Sequence, residues 1–168
     1  QAKRWLLKSP VHLMRLEEIF AVYPDAKIIM PHRHPKKVVA SAASLVSSVR
    51  TLYSDQEDPL RTGREQLDIW SSYFNRFLES RKKLNREDQI IDVKFEDFVQ
   101  DQIAYVQRIY AHFGWDLSEE ALRRMAAFLQ ENPKDKHGAH QYSLAQFGLT
   151  EQDVENAYHN YIQFLNQC

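Results

Sequence analysis

Apolar positions along the chain follow two spacings, which together predict short strands separated by amphipathic helices. Three short runs rich in apolar and β-branched residues are typical of strands: residues 5–7, 26–30 and 89–95. Elsewhere apolar side chains recur every three or four positions, as they do along one face of a helix. This spacing predicts helices at residues 11–23, 35 to about 53, a long stretch ending near 85, 98–113, 118–132, and one last helix from 150.

Residues that start or stop helices support several of these boundaries. Ser118 is followed by two glutamates and Thr150 has an aspartate three positions on, which is typical of helix N-caps. Gly114 and Asn132-Pro133 are typical of helix ends. A helix-rich second half is therefore predicted from local signals.

Strands alternating with helices predict an α/β layer with a parallel sheet, in which functional residues gather at the carboxyl ends of the strands. Lys8 and His12 follow the first predicted strand, Arg33 follows the second, and Phe95 closes the third. We therefore expect these side chains to converge on one edge of the sheet. No internal repeat or second domain is visible, so residues 1–168 are predicted to form a single domain.

Composition limits the kind of protein and the kind of partner. The chain has 168 residues, of which 43% are hydrophobic, enough for one core, and its formal net charge of −1 with dispersed basic residues disfavours nucleic-acid binding. A single cysteine allows no internal disulfide, and no apolar stretch approaches the ~20 residues of a membrane helix. These features predict one compact soluble unit and leave its oligomeric state open. Since the chain begins at Gln1 and enters a strand-like run at once, we expect further sequence upstream.

Arg33 lies at the junction between the second predicted strand and the next helix, where anions commonly bind. A helix N-terminus offers unpaired N–H groups and a partial positive charge, and Pro35 is tolerated in the first turn. The planar guanidinium adds a fork suited to phosphate oxygens. Ser41 follows about two turns along the same helix. A phosphate site is therefore predicted here.

Residues 33–41 resemble the 3′-phosphate loop of sulfotransferases that use 3′-phosphoadenosine 5′-phosphosulfate (PAPS), with an R-x-P motif and a serine eight positions after the arginine. Other segments resemble the bacterial-type branch of that family in order and spacing. They are residues 8–12 (K-S-P-x-H), 23–27 (like F-P-D-A), 93–98 (like Y-E-D-L) and 140–149 (like H-x-Y-S-L…F-G-L).

The resemblance implies a fold and an activity. The fold would be α/β with a P-loop-NTPase-like parallel sheet flanked by helices, and the activity would be transfer of a sulfuryl group from PAPS to a hydroxyl, leaving 3′-phosphoadenosine 5′-phosphate (PAP). Arg33 and Ser41 would bind the 3′-phosphate and Phe95 the adenine. Lys136 and His137 would close over the 3′-phosphate, as basic residues do in the corresponding loop of the family.

His12 is the best general base in the sequence, because an imidazole titrates near neutral pH and can take the proton of the attacking hydroxyl. Lys8, close by in sequence, would hold the sulfuryl oxygens. The alternatives are an ordinary histidine at a helix start and a solvated lysine at a strand end. His32 and His34 have a metal-like spacing, but no acidic or cysteine partner accompanies them, so no metal is expected.

One family feature is missing from the sequence: the glycine-rich P-x-x-G-T loop that holds the 5′-phosphosulfate. The chain has four glycines, none in such a loop, so we expect little turnover from these residues alone. Two explanations stay open: the loop lies upstream of Gln1, or the chain is a non-catalytic nucleotide-binding or interaction domain. A small-molecule kinase is disfavoured, because no magnesium-binding aspartate motif is present.

The acceptor is predicted only as a class. A small-molecule or glycan hydroxyl would bind near residues 51–63, and the sequence does not distinguish a sugar from a phenol, lipid or steroid. Because PAPS is made in the cytosol, a cytoplasmic protein is expected.

Overall fold

A computed structural model describes residues 5–133 and 141–167. Within them, two parallel strands pair: β1 (Ile28–His32) and β2 (Ile90–Lys94). The register sets Ile28 opposite Ile90 and His32 opposite Lys94. Both strands therefore end at the same level, and the segments that follow them leave from the same edge of the sheet.

Helices make up most of the remaining described chain. They are a 3₁₀ helix Pro10–Arg15, α1 (Leu16–Val22), α2 (Pro35–Arg50), α3 (Pro59–Leu84), α4 (Phe95–Phe98), α5 (Gln102–His112), α6 (Glu119–Glu131), α7 (Glu151–Ala157) and α8 (His159–Leu165), with 3₁₀ turns at Glu87–Gln89 and Ala145–Phe147. The predicted α/β class with a parallel sheet and a helix-rich second half is confirmed. No helix in the described ranges has the length and apolar character needed to cross a membrane.

The helix starts follow from side chains that accept hydrogen bonds from the first turn. The Asp58 carboxylate accepts from two backbone N–H groups at the start of α3, and the Ser118 hydroxyl accepts from one in α6. Thr150 and Asp153 form a reciprocal capping box at α7. The last helix, predicted as one, is interrupted at Tyr158, whose backbone leaves the helical region (φ −109°, ψ 16°).

The first predicted strand is not a strand. Residues 5–9 are irregular, and the side chains of Trp5 and Leu6 are 93% and 89% exposed. A strand is stabilised by a neighbouring strand that takes up its N–H and C=O groups, and the described residues pair only β1 with β2. The prediction of a strand at residues 5–7 was wrong, because it rested on apolar composition alone. Whether a segment pairs with another strand depends on residues far away in the sequence.

The long helix α3 organises the main core, because α2, α7, α8 and the 3₁₀ helix Pro10–Arg15 all pack against it. The buried members of this core are Leu13, Leu16, Val39, Leu67, Phe74, Phe77, Leu149, Val154, Tyr158 and Tyr161. A smaller cluster joins β2 to α5 through Ile91, Val93 and Ile109. Ile28 and Met30 of β1 pack against the main core, so the two-stranded sheet contacts both apolar clusters.

Truncating Phe77 should be far more damaging than truncating Phe128. Phe77 is 0% exposed, whereas Phe128 on α6 is 62% exposed. We expect Phe77→Ala to lower the free energy of unfolding by about 3–5 kcal/mol, since it removes buried area and leaves a cavity. Phe128→Ala should change it by less than about 0.5 kcal/mol. Urea denaturation of both variants measures the difference, and equal effects would contradict the packing.

Candidate functional site

Arg33 and Phe95 meet at the carboxyl edge of the sheet. Arg33 follows β1 directly and Phe95 follows β2 directly. The guanidinium carbon of Arg33 lies 4.7 Å from the centroid of the Phe95 ring, a cation–π contact. The parallel register explains this contact, because it places the preceding residues, His32 and Lys94, opposite each other. The structure thus brings together two residues that the sequence assigned to one nucleotide.

The guanidinium of Arg33 retains a donor without an acceptor. Its Nε is buried and has no hydrogen-bond partner among the described residues. Buried donors are nearly always satisfied, so an N–H of this kind fits a missing acceptor. An anionic oxygen is the acceptor that best suits a cationic donor. The residue therefore fits an anionic group such as a phosphate.

The first turn of α2 lacks the unpaired N–H groups that the sequence analysis predicted there. Its backbone N–H groups are not free, because that of Lys36 donates to Nδ1 of His34 (3.3 Å) and that of Lys37 donates to the carbonyl of His34 (3.0 Å). An anion at this position would therefore depend on Arg33 and the helix dipole rather than on unpaired N–H groups. Ser41 lies in the second turn of α2 and is partly exposed.

Basic residues near the start of α2 have different environments. The ammonium of Lys36 binds Glu151 (2.6 Å) and Glu155 (2.8 Å), so its charge is neutralised by α7. Lys37 is exposed and lines an open cleft of about 470 Å³ between α2 and residues 142–151. The two other predicted basic residues, Lys136 and His137, lie outside the described residues.

Lys8 and His12 lie on a different segment of the chain. Lys8 is exposed in the irregular stretch, and His12 is half-buried in the 3₁₀ helix Pro10–Arg15, which packs against α3. In the described ranges no side-chain hydrogen bond or ion pair joins either of them to Arg33. Their proposed roles in the transfer remain predictions.

A buried polar chain adjoins the site, and the sequence analysis missed it. His32 is 1% exposed; its Nδ1 lies 2.7 Å from the Tyr161 hydroxyl and its Nε2 lies 2.6 Å from Oδ1 of Asp92. Arg81 donates to both oxygens of Asp92, at 2.7 and 2.8 Å, and through Nε to Glu87 at 2.9 Å. The available signal was Asp92 itself, a carboxylate within an apolar strand.

The charges of Asp92 and Arg81, in this row of hydrogen-bonded side chains, affect each other's pKa. Burial alone raises the pKa of Asp92, but hydrogen bonds from His32 and Arg81 outweigh it and bring that pKa to about 2. Burial likewise lowers the pKa of Arg81, and its bonds to Glu87 and Asp92 raise it above the ordinary value. Asp92 is therefore a carboxylate at neutral pH, and it accepts a hydrogen bond from the N–H at Nε2 of His32.

The "Sulfotransferase family" model matches residues 1–119 of the chain. The chain belongs to the sulfotransferase family. The resemblance drawn from residues 33–41 and the other segments is thereby confirmed at the level of the family. Among the described residues, no group of three or more histidine, cysteine, aspartate or glutamate side chains is arranged to hold a metal ion.

Similar proteins are mycobacterial sulfotransferases. The chain is 25% identical over 152 residues to "Omega-hydroxy-beta-dihydromenaquinone-9 sulfotransferase Stf3" of Mycobacterium bovis, covering 89% of this chain and 39% of that protein. It matches the crystal structures of sulfotransferase STF1 from Mycobacterium tuberculosis (34% identity, TM-score 0.80) and STF9 from Mycobacterium avium (26%, TM-score 0.86). These matches cover 94% and 95% of this chain and 40% and 41% of those chains.

These structural matches confirm the predicted P-loop-like α/β fold. The chain spans about two fifths of the length of these relatives. In this sulfotransferase-family chain, the sheet edge presents Arg33 and Phe95 together and buries His32 beside them.

Asp92→Asn should change how the stability of this sulfotransferase-family chain depends on pH. The pKa of Asp92 is about 2 in the folded chain, against an ordinary value of 3.8, so its contribution is complete above about pH 4 and is lost as the pH falls towards 2. An asparagine at this position would not titrate, so we expect the variant to be about 2–3 kcal/mol less stable at pH 7 and the difference to shrink below pH 4.

Urea midpoints measured from pH 7 to pH 2 test this prediction. The matched control is Asp68→Asn, at an exposed position on α3, which should follow the wild-type curve. A constant difference between Asp92→Asn and the wild type at every pH would contradict the charge assignment.

Proposed function

We propose that the protein transfers a sulfuryl group from PAPS to a hydroxyl group of a small molecule and releases PAP. The observation that carries the proposal is the Arg33 guanidinium, stacked on Phe95 at the sheet edge with a buried N–H that lacks an acceptor among the described residues. Membership of the sulfotransferase family supports the same reaction.

Arg33 and Ser41 are proposed to bind the 3′-phosphate of the donor. A guanidinium gives a phosphate charge-assisted and bidentate hydrogen bonds, and a serine hydroxyl adds one more donor. Phe95 would carry Arg33 on one ring face and the adenine on the other. Lys136 and His137 are proposed to close over the same phosphate.

His12 and Lys8 are proposed to serve the transfer itself. His12 would accept the proton of the attacking hydroxyl, and Lys8 would balance the charge that develops on the sulfuryl oxygens. PAPS, when bound, supplies the sulfuryl group and a phosphate leaving group. The proposal assigns no role to a metal, and it places the reaction in the cytoplasm, where PAPS is made.

The acceptor is proposed to be a hydroxyl compound with an apolar body. Leu45 and Val49 on α2 are 66% and 46% exposed, and Leu52, just after it, is 76% exposed. Tyr53 and Leu60, at 85% and 61% exposed, are further exposed apolar side chains in the region where the sequence predicted the acceptor. The relative Stf3 is named for a hydroxylated menaquinone, which also has an apolar body.

Donor binding is tested by calorimetric titration with PAP and with 5′-AMP. We expect the wild type to bind PAP more tightly, and Arg33→Ala to lose PAP affinity by about 10–100-fold while 5′-AMP binding changes little. Arg33→Lys should retain part of the preference, because it keeps the charge but not the fork. Arg108→Ala is the matched control, since Arg108 lies over the Tyr105 ring at 4.9 Å on α5, in a similar contact.

Equal binding of PAP and 5′-AMP by the wild type would overturn the donor site. Preference for PAP without sulfuryl transfer from PAPS by the full-length protein, across the acceptors tested below, would favour the non-catalytic nucleotide-binding domain.

The acceptor class is tested by transfer of labelled sulfuryl from PAPS to a hydroxylated isoprenoid quinone and to a monosaccharide. We expect the full-length protein to transfer sulfuryl to the quinone, and Leu52→Ser in that protein to lower the kcat/KM for the quinone about tenfold, mainly through KM. Val22→Ser on α1 is the control, because Val22 is similarly exposed (66%) on another surface. Transfer to the sugar alone would show that the acceptor is a glycan.

A further inference from the structure

Successive positions at the end of β1 have opposite environments. His32 is 1% exposed within the core, and the next residue, Arg33, leaves the strand for the sheet edge. Because neighbouring side chains of an extended chain point in opposite directions, a rotation of the backbone at His32 also moves the guanidinium of Arg33. The orientation of one residue is therefore coupled to that of the other.

The imidazole of His32 is held from two sides by different elements. Asp92 belongs to β2 and Tyr161 to α8, 60 and 129 positions away in the sequence. The rings of Phe164 and Phe77 also contact it, with centroids 5.6 and 6.3 Å away. Two hydrogen bonds and two ring contacts leave the imidazole little freedom to rotate.

Arg33, by contrast, has no hydrogen-bond partner for its buried Nε among the described residues. Its guanidinium lies over the ring of Phe95, and among the described residues no carboxylate pairs with it. A cation–π contact tolerates a range of directions, because the attraction covers the ring face. The backbone at the end of β1 sets the direction of the Cα–Cβ bond of Arg33, from which the side chain reaches the Phe95 ring.

Buried polar groups seldom add net stability compared with apolar groups of similar shape. The hydrogen-bonded side chains of Arg81, Asp92, His32 and Tyr161 nevertheless connect α3, both strands and α8 beneath the site. Hydrogen bonds are directional, so this row of side chains fixes the orientation of each group in a way that an apolar core does not.

We propose that His32 is a positioning residue for the donor site: held by Asp92 and Tyr161, it fixes the direction in which Arg33 leaves β1 and so its grip on a 3′-phosphate. This inference rests on the proposed function, in which Arg33 binds that phosphate. His32 itself touches neither nucleotide nor acceptor and acts through Arg33.

The test compares two hydroxyl deletions on the same helical region. Tyr161→Phe removes a bond to His32, whereas Tyr158→Phe removes a buried hydroxyl that has no partner in the described part of the chain. The readout is the ratio of the dissociation constants of 5′-AMP and PAP, with the thermal midpoint measured alongside. We expect Tyr161→Phe to lower the ratio about 3–10-fold and Tyr158→Phe to leave it unchanged.

Two substitutions of His32 itself test the same inference, one that removes its hydrogen bonds and one that keeps part of them. His32→Ala removes both bonds and should lower the ratio at least as far as Tyr161→Phe. The glutamine of His32→Gln has an amide N–H at about the reach of Nε2, so it can still donate to Asp92. We therefore expect the ratio of this variant to lie between those of His32→Ala and the wild type. A purely structural role would lower the thermal midpoint and leave the ratio unchanged, since both nucleotides require the same fold.

The outcomes separate this inference from the proposed function. If the wild type prefers PAP, Arg33→Ala abolishes that preference and Tyr161→Phe keeps the wild-type ratio, the positioning role is overturned and the donor site stands. If the wild type shows no preference, the donor site fails and the inference fails with it. Should His32→Ala not fold, Tyr161→Phe and its control decide the matter alone.

Discussion

The carboxylate of Asp92 is the contact on which the arrangement of the sheet edge depends. It lies in β2, yet it accepts hydrogen bonds from Arg81 of α3 and His32 of β1. Removing the carboxylate would leave Arg81 and His32 buried without that acceptor, and removing Arg81 would leave a buried anion short of its counter-charge. The three groups therefore depend on one another, and together they fix how β1, β2 and α3 meet.

The two site residues directly follow the strands that Asp92 helps to join. His32 precedes Arg33, Lys94 precedes Phe95, and the register sets His32 and Lys94 side by side. Because α7 neutralises Lys36, the positive charge near the start of α2 comes from Arg33 and the exposed Lys37.

Local signals in the sequence predicted much of this structure, and long-range contacts account for what it missed. Residues 26–30 and 89–95 correspond to β1 and β2, and the caps at Ser118 and Thr150 hold, because each depends on neighbours within a few positions. The strand at residues 5–7 failed, because strand pairing is not encoded locally. His32 was considered only for its spacing from His34, since its partners lie 60 and 129 positions away. The site was predicted as separate motifs, and its assembly required the fold.

A phosphate-binding arginine faces a conflict that this arrangement resolves. A carboxylate partner would orient the guanidinium well but would compete with the phosphate for the same donors and charge. A ring face such as that of Phe95 supports the cation without competing, yet it defines direction poorly. A fixed neighbour in the backbone then contributes by setting the point and direction from which the arginine side chain leaves. In this chain the buried His32 meets that requirement, since its hydrogen bonds are made inside the core and leave the guanidinium of Arg33 free to bind.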